Sequence, residues 1–555
     1  MSAPIPGSGR SRALAASQGL AAALDAARYI SPQGSVSELS SKRLLALNLR
    51  KLGGEELQFT PRSYILTSEE LGGAEFADFV RDYKLSHALA VLQRVALSET
   101  SPTSELSATS RLEVGACNEA WRQAQEQAEG LHGRVAPAIP WEEGPVPTHP
   151  IAELELDAAI FVVSQALSDH RGGHAFFSSH IAEDHWRILR CLCPLSSPVD
   201  AGLAGRAEEA RSLLEEVPKD CQVAILERNL WVLKPCSNGG GNGRGILLLD
   251  RLPAQHEPLL CWAVAVGRAG HAGASDARDG CVLQKLVERP HLLDRRALLR
   301  SSCAEAVRSD GADVERNDLE SHACRPPDCL IGPTALFKYN LRMWLDVALS
   351  NPPEVWLYDN SYVDLAGREF SPILDPGSHV TNLLRGDPTR GRSVFQRHWS
   401  IQEFAAHLRQ GSGGGSDPYA ELILPQVRSI IVAIFRALRF PPSSLQHRYG
   451  SHCSGNAIGD DSGTGPLGRL KRLGLDFLVD EHLHVWLMEV NVLKRDYGLA
   501  AAKGPGGDVK RHLVARLREA EAELQEARAG RRMPPEGFEN LVGLIMSDSD
   551  MLPLS

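Results

Sequence analysis

An α+β fold with antiparallel sheets flanked by helices is what the sequence predicts, on three observations. Short β-rich runs crowd the stretch after residue 220: NLWVLKP, GILLLD, CVLQKLVE, LRMWLDVAL, EVWLYDNSYV, LDFLVD and HVWLMEVN. Helical patterns separate only some of them, notably ELILPQVRSIIVAIFRAL, which is the texture of much antiparallel pairing. One stretch, GLDFLVDEHLHVWLMEVN, alternates apolar and polar residues on both sides of a single polar break at Glu481 to His484, the pattern of a β-hairpin.

Taken in order, residues 1–40 are rich in Ser, Ala and Gly and read as a disordered leader, although their acid-poor helical periodicity also resembles an organelle transit peptide. Residues 41–215 form a mixed N-terminal extension with a helical pattern at AEFADFVRDYKLSHALAVLQRV. Residues 216–507 hold the strand-rich body, interrupted by insert-like stretches near 269–280, 301–332, 411–416 and 452–467. Residues 508–555 comprise a last long helical pattern, DVKRHLVARLREAEAELQEARAG, and a tail. A chain of 555 residues exceeds one core, so a multi-lobed body or two to three packed domains is expected.

Composition removes some functions. No stretch approaches the roughly 20 uncharged apolar residues of a membrane span, and a soluble intracellular protein is expected. A net charge of −10 argues against general nucleic-acid binding. The eleven cysteines include no Cys-x-x-Cys and fit reduced thiols. Cys191 with Cys193, and His322 with Cys324 and Cys329, lack the partner pair of a usual zinc site.

The hairpin poses a chemical question, because it sets Asp476 opposite Glu489. Like charges directly across a strand pair destabilise it. Alternation places Leu478, Leu487 and Asn491 on the face of those carboxylates, and Phe477, Val479, Trp486, Met488 and Val490 on the other. A divalent cation would turn repulsion into attraction: Mg²⁺ takes hard oxygen ligands, and Asp476, Glu489 and Asn491 supply them from one face. A polar surface hairpin is the plain alternative. Upstream, LWVLKPCSNGGGNGRGI delivers Lys234 on a strand, then a loop with Gly239, Gly240, Gly241, Gly243, Arg244 and Gly245, which lets backbone N–H groups approach phosphate oxygens. It is neither a Walker A loop nor a dinucleotide-binding fingerprint. CVLQKLVERP carries Gln284 and Lys285 on an apolar strand, and FKYNLRMWLDV carries Lys338 and Arg342. Cations on buried strands need anionic partners.

In this order, with SHVTN between the last two groups, the motifs resemble the catalytic region of the tubulin tyrosine ligase-like family, which has the ATP-grasp fold. The resemblance covers residues 225–500 and extends back to FTPRSYIL at Phe59; KYNLRMWLDVALSNPPEVWLYDNSY looks most like the glycine-adding branch. It implies ATP and Mg²⁺ as cofactors. Lys234 and Lys285 would hold phosphates, the main chain of Gln284, Lys285, Leu286 and Val287 would border the adenine, and Gly239 to Gly245 would cover the triphosphate. Lys338 and Arg342 would be catalytic, at the meeting point of γ-phosphate and acceptor carboxylate, with His379, Thr381 and Asn382 shaping the same cleft. Asp476, Glu489 and Asn491 would bind magnesium.

The activity implied is an ATP-dependent ligase joining an amino acid, glycine first, to glutamate side chains of tubulin tails through an acylphosphate. Its partners would be microtubules and a free amino acid, without nucleic acid or membrane. It would act as a monomer in the cytoplasm and cytoskeleton, cilium included. Arg385, Arg390, Arg392 and Arg397 of RGDPTRGRSVFQR, with Lys494 and Arg495, would meet the acidic tail. Three departures bear on substrate binding: Asn340 stands where the family usually has Asp, Asp364 near where it has Arg, and VLKRDYG replaces a Ser-Pro turn after Asn491. Glutamate or tyrosine addition, a ligase for a small carboxylate, and a degenerate nucleotide- or microtubule-binding member are the alternatives.

Overall fold

The computed structural model describes residues 39, 41–50, 58–67, 73–98, 150–190, 199–218, 229–236, 246–249, 252, 259, 280–294, 336–348, 354–366, 368–371, 376–381, 398–411, 415–438, 471–492 and 538–540. In chain order the elements are α1 (Lys42–Arg50), β1 (Ser63–Leu66), α2 (Ala74–Leu97), α3 (Glu153–Arg171), α4 (Glu183–Leu189), α5 (Ala207–Glu215), β2 (Trp231–Pro235), β3 (Leu247–Leu249), β4 (Cys281–Lys285), β5 (Leu293–Asp294) and β6 (Leu336–Phe337). They continue with β7 (Tyr339–Ala348), β8 (Glu354–Leu365), β9 (His398–Ser400), α6 (Ile401–Gly411), α7 (Leu424–Ala437), β10 (Lys471–Val479), β11 (Val485–Val492) and β12 (Phe538–Asn540). Every β-rich run singled out in the sequence contributes a strand, and among the described residues the pairings between these strands are antiparallel. Among the described residues no helix is long and apolar enough to cross a membrane.

Two sheets organise the molecule. The four-stranded sheet runs β1-β4-β2-β3. Period-two alternation sends Trp231, Leu233 and Leu283 to one side, where they form a core with Phe79, Leu85 and Leu92 of α2 and Leu156 and Val163 of α3. Phe79 meets the Trp231 ring edge-on at 5.0 Å. The strand opens at Gly280, whose φ of +69° and whose would-be Cβ, 1.9 Å from the Leu66 carbonyl oxygen, admit only glycine. The six-stranded sheet runs β11-β10-β7-β8-β12, with β9 beside β8. Its back packs Leu341, Met343, Leu345, Leu475 and Phe477 against Phe404 of α6 and Val427, Ile430, Ile434 and Phe435 of α7. At about 25 cal/mol per Å² of apolar area, these two cores are the main stabilising term.

Two contacts hold the sheets in register with each other. The chain leaving β4 pairs Pro290 with Asp480 and gives His291 N to Val479 O at 2.9 Å, so it runs beside the β10–β11 turn. Helix α1 bridges the other side, with Leu45 and Leu49 in the large core and Ala46 and Leu47 against Ile65 and Val282. The remaining faces of the two sheets look into the space between.

Candidate active site

The hairpin folds where the sequence breaks. Asp480 makes the turn: Oδ1 accepts the backbone N–H groups of His482 and His484, both at 2.9 Å, while Leu483 takes the left-handed φ of 62°. Gln426 of α7 clamps the same turn, donating to Leu483 O at 2.9 Å and accepting from Val485 N at 3.0 Å. This register puts Asp476 opposite Glu489, as predicted.

Cations relieve the repulsion. Arg342, the partner of Asp476 on β7, donates from Nε to Oδ1 and from Nη2 to Oδ2, the latter at 2.8 Å. Asn491 Nδ2 adds a bond at 3.1 Å and Asn340 Nδ2 one at 3.3 Å. Gly474 leaves room for the arginine, since a Cβ there would stand 3.1 Å from Arg342 Cδ. Glu489 meets Lys42 Nζ at 3.4 Å. From the facing sheet, Lys234 Nζ donates to Gln284 Oε1 at 2.5 Å, and Gln284 Nε2 donates to Ser63 Oγ at 3.1 Å.

Burial and mutual charge set the protonation of this cluster. Burial pulls Lys234 down to about 8, with Glu489 and Asp476 working the other way. Burial and the neighbouring Lys234 take Lys338 down to about 7, and among the described residues no carboxylate pairs with it. Burial pushes Glu489 up, but Lys42, Lys234 and Arg342 outweigh it and hold the carboxyl below its ordinary range. Asp476 is raised by burial and by the charges of Glu489 and Asp364, against Arg342. Two carboxylates thus stand among four cations, each partly stripped of water.

The structure corrects two readings. A β-bulge between Asp476 and Phe477 leaves Met488 unmatched, so Phe477 pairs with Leu487 and Leu478 with Trp486. One extra residue inverts the alternation beyond it. Leu487 therefore enters the core with Phe477, whereas Trp486 and Met488 join Leu478 and Val287 in an apolar patch on the carboxylate side. Asp480 Oδ2 fixes Trp486 by accepting its Nε1–H at 3.0 Å. The second correction is Lys285. Adjacent to Gln284, it points through the opposite face, where its Nζ bonds Glu288 Oε1 at 2.5 Å and Leu230 O at 3.0 Å beside the Trp231 ring. Its ammonium does not join Lys234.

The other expected residues are placed less directly. Leu286 packs with Leu230, Val232 and Leu248. His379, at the end of the single helical turn Pro376–His379, is buried against Phe370, whose N–H bonds Leu336 O two residues before Lys338. Thr381 is half-buried, and no described contact ties it to Lys338 or Arg342. Gly239, Gly240, Gly241, Gly243, Arg244, Gly245 and Asn382 lie outside the described residues, as do the arginines from 385 to 397, Lys494, Arg495 and the Cys191 and His322 groups.

Lys42 escaped the sequence reading. Its signal is positional: at helical spacing it falls in line with the buried Leu45 and Leu49, a cation at the head of an apolar stripe. It lines a cavity of about 550 Å³ together with Lys234, Gln284, Arg50, Arg62 and Met488. Among the described residues no group of three or more His, Cys, Asp or Glu could hold a metal alone. Two carboxylates and an amide nevertheless fit Mg²⁺, which takes one or two carboxylates and completes its shell with water and phosphate oxygens.

No family model matches the chain. Curated relatives do. Tubulin monoglycylase TTLL3 of Homo sapiens is 24% identical over 275 residues, 48% of this chain and 25% of that protein. Tubulin glycylase 3A of Drosophila melanogaster is 22% identical over 449 residues, 79% of this chain and 34% of that protein. Protein monoglycylase TTLL8 of Homo sapiens is 22% identical over 482 residues, 82% of this chain and 45% of that protein. The matches thus span between a quarter and a half of these relatives' own lengths. This chain is a distant relative of the tubulin glycylases, the branch of the tubulin tyrosine ligase-like family that its motifs resemble.

Proposed function

We propose that this protein is an ATP-dependent carboxylate–amine ligase of ATP-grasp type that joins glycine to glutamate side chains of tubulin tails on cytoplasmic and ciliary microtubules. The observation that carries the reading is that Lys234, on one sheet, lines the same cavity as Lys42, whose Nζ stands 3.4 Å from Glu489 of the cross-strand carboxylate pair on the other. The names of the relatives supply tubulin and glycine.

Making an amide in water requires an activated carboxylate. ATP, when bound, supplies the phosphoryl group that turns the glutamate side chain into an acylphosphate, and Mg²⁺ held by Glu489, Asp476 and Asn491 neutralises phosphate charge. Lys234 and Lys42 hold phosphate oxygens; Val287, Leu478, Trp486 and Met488 give the base an apolar floor. Lys338 and Arg342 orient the acceptor. The amine nitrogen then forms the C–N bond while the C–O bond to phosphate breaks; phosphate leaves and the nitrogen sheds a proton.

A non-ligating nucleotide-binding member is the second reading, favoured by one observation: Asp476 already occupies two donors of Arg342. Incubating the protein and ATP with labelled glycine, glutamate or tyrosine, on microtubules and on free small acids, separates the readings. Glycine incorporation into tubulin is expected, and Glu489→Gln should lower it about 10²–10³-fold with the fold intact. Unchanged incorporation would remove the metal role from Glu489.

A further inference from the structure

The two departures at 340 and 364 are neighbours in space: Asn340 of β7 and Asp364 of β8 are register partners, so their side chains share the face of Arg342 and Asp476. Both are buried, at 3% and 6% exposure. The Asn340 amide has only one orientation open to it. Asp476, an ionised acceptor held by Arg342, requires the NH₂ group, and Asn340 Nδ2 donates to it at 3.3 Å. Asn340 Oδ1 is therefore turned away from Asp476, and it is a buried acceptor without a hydrogen-bond partner among the described residues. A buried acceptor lacking a donor is costly and marks the place of a missing group. Arg342 is poorly placed to serve it, because its Nε and Nη2 are turned to Asp476.

An amide oxygen thus stands across from a carboxylate on the next strand. Such a pair rejects an anion and suits a compact cation with several donors, which describes a primary ammonium. The charge of Asp364 extends over the neighbourhood, acting on Arg342, Tyr362 and Asp476. Asn340 is two residues from Arg342 along β7, a spacing of about 7 Å that sets a bound amine beside the acceptor end of the cleft.

We infer that Asn340 and Asp364 form an ammonium-recognising site for the amine substrate. The inference rests on the ligase reading and adds the residues that select the amine.

The test titrates glycine, then ATP, in the labelling assay with the full chain. Asp364→Asn, isosteric and uncharged, should raise the KM for glycine about tenfold or more while moving the KM for ATP less than about twofold. Asn340→Leu should act in the same direction. A glycine KM that stays put in both variants, or an ATP KM that moves alone, would overturn the inference and leave the ligase reading standing. If the wild type incorporates no amino acid, the ligase reading fails separately, and an NMR titration with methylammonium, acetate as control, reads the site by itself. Methylammonium shifts seen in the wild type and lost in Asp364→Asn support it; no methylammonium binding by the wild type sinks it. Thermal melts of both variants separate loss of binding from loss of fold.

Discussion

Among the described residues, a buried cluster of charge behind the four-stranded sheet and another in front of the six-stranded sheet differ in whether they close, each charge meeting an opposite one. Behind the first sheet, Asp82 accepts hydrogen bonds from Tyr64 Oη at 2.7 Å and Ser86 Oγ at 2.9 Å and pairs by charge with Arg62, whose Nε stands 2.8 Å away, while Lys285 is taken up by Glu288. Arg62 also lies 3.5 Å from the Phe177 ring centroid. In front of the second sheet, Asp476 and Glu489 face each other, Asn340 Oδ1 has no donor among the described residues, and burial and Lys234 hold Lys338 down to about 7. A buried network in which each charge meets an opposite one fixes a fold. One whose charges and lone pairs are left over anticipates something that arrives later.

That contrast can be broken by substitution. The largest effect belongs to the closed cluster: Asp82→Ala should cost about 3–5 kcal/mol in denaturant unfolding, because it strands Arg62 away from water, while nucleotide affinity per folded molecule is kept. A comparable activity loss without a stability loss would reverse the assignment of the two clusters. The adjacent-strand lysines give the sharper version. Lys234→Met should weaken nucleotide binding about tenfold to a hundredfold, measured by calorimetry, without lowering the melting temperature, since it removes a desolvated cation. Lys285→Met should do the converse, leaving Glu288 buried without its cation.

A smaller effect follows from protonation. Lys234 and Lys338 ionise near 10.5 in the unfolded chain but near 8 and 7 in the folded one. Between those values the unfolded state holds the extra protons, so these lysines contribute stability that grows as pH rises from about 7 towards about 10.5; the penalty is fully present below about 7. A bound polyanion restores the charge, and nucleotide binding at pH about 7.5 should take up about one proton, read from calorimetry in buffers of different ionisation enthalpy. Binding without proton uptake would remove Lys234 from the phosphate site and Lys338 from the reach of the phosphate charge. The smallest change is Met488→Ala, about threefold to tenfold in nucleotide affinity, from a trimmed apolar contact.

The same contrast explains what the sequence disclosed. The hairpin was readable because a polar turn sits between two alternating runs, and the opposition of Asp476 and Glu489 followed from counting outward from that turn. Lys234 was readable because a strand ends on it before a glycine loop. Counting failed at Met488, where one unmatched residue reverses the phase without any mark in composition. It failed again at Lys285: Gln284 and Lys285 are consecutive and both polar, so periodicity says they part but not which way. The acid three residues on, Glu288, is the signal that the lysine was already spoken for. Lys42 was hidden because its partner, Glu489, is supplied by the last strand of the hairpin, 447 residues away.

The bulge carries a consequence for design. A chain shortened by Met488 alone could run an unbroken ladder from Glu489 to Leu487 and still present Trp486 outward and Leu487 inward. The sheet has no need of the additional residue, so the position is a spare place setting: its side chain can be redrawn for a different guest between the two sheets without asking the scaffold to move.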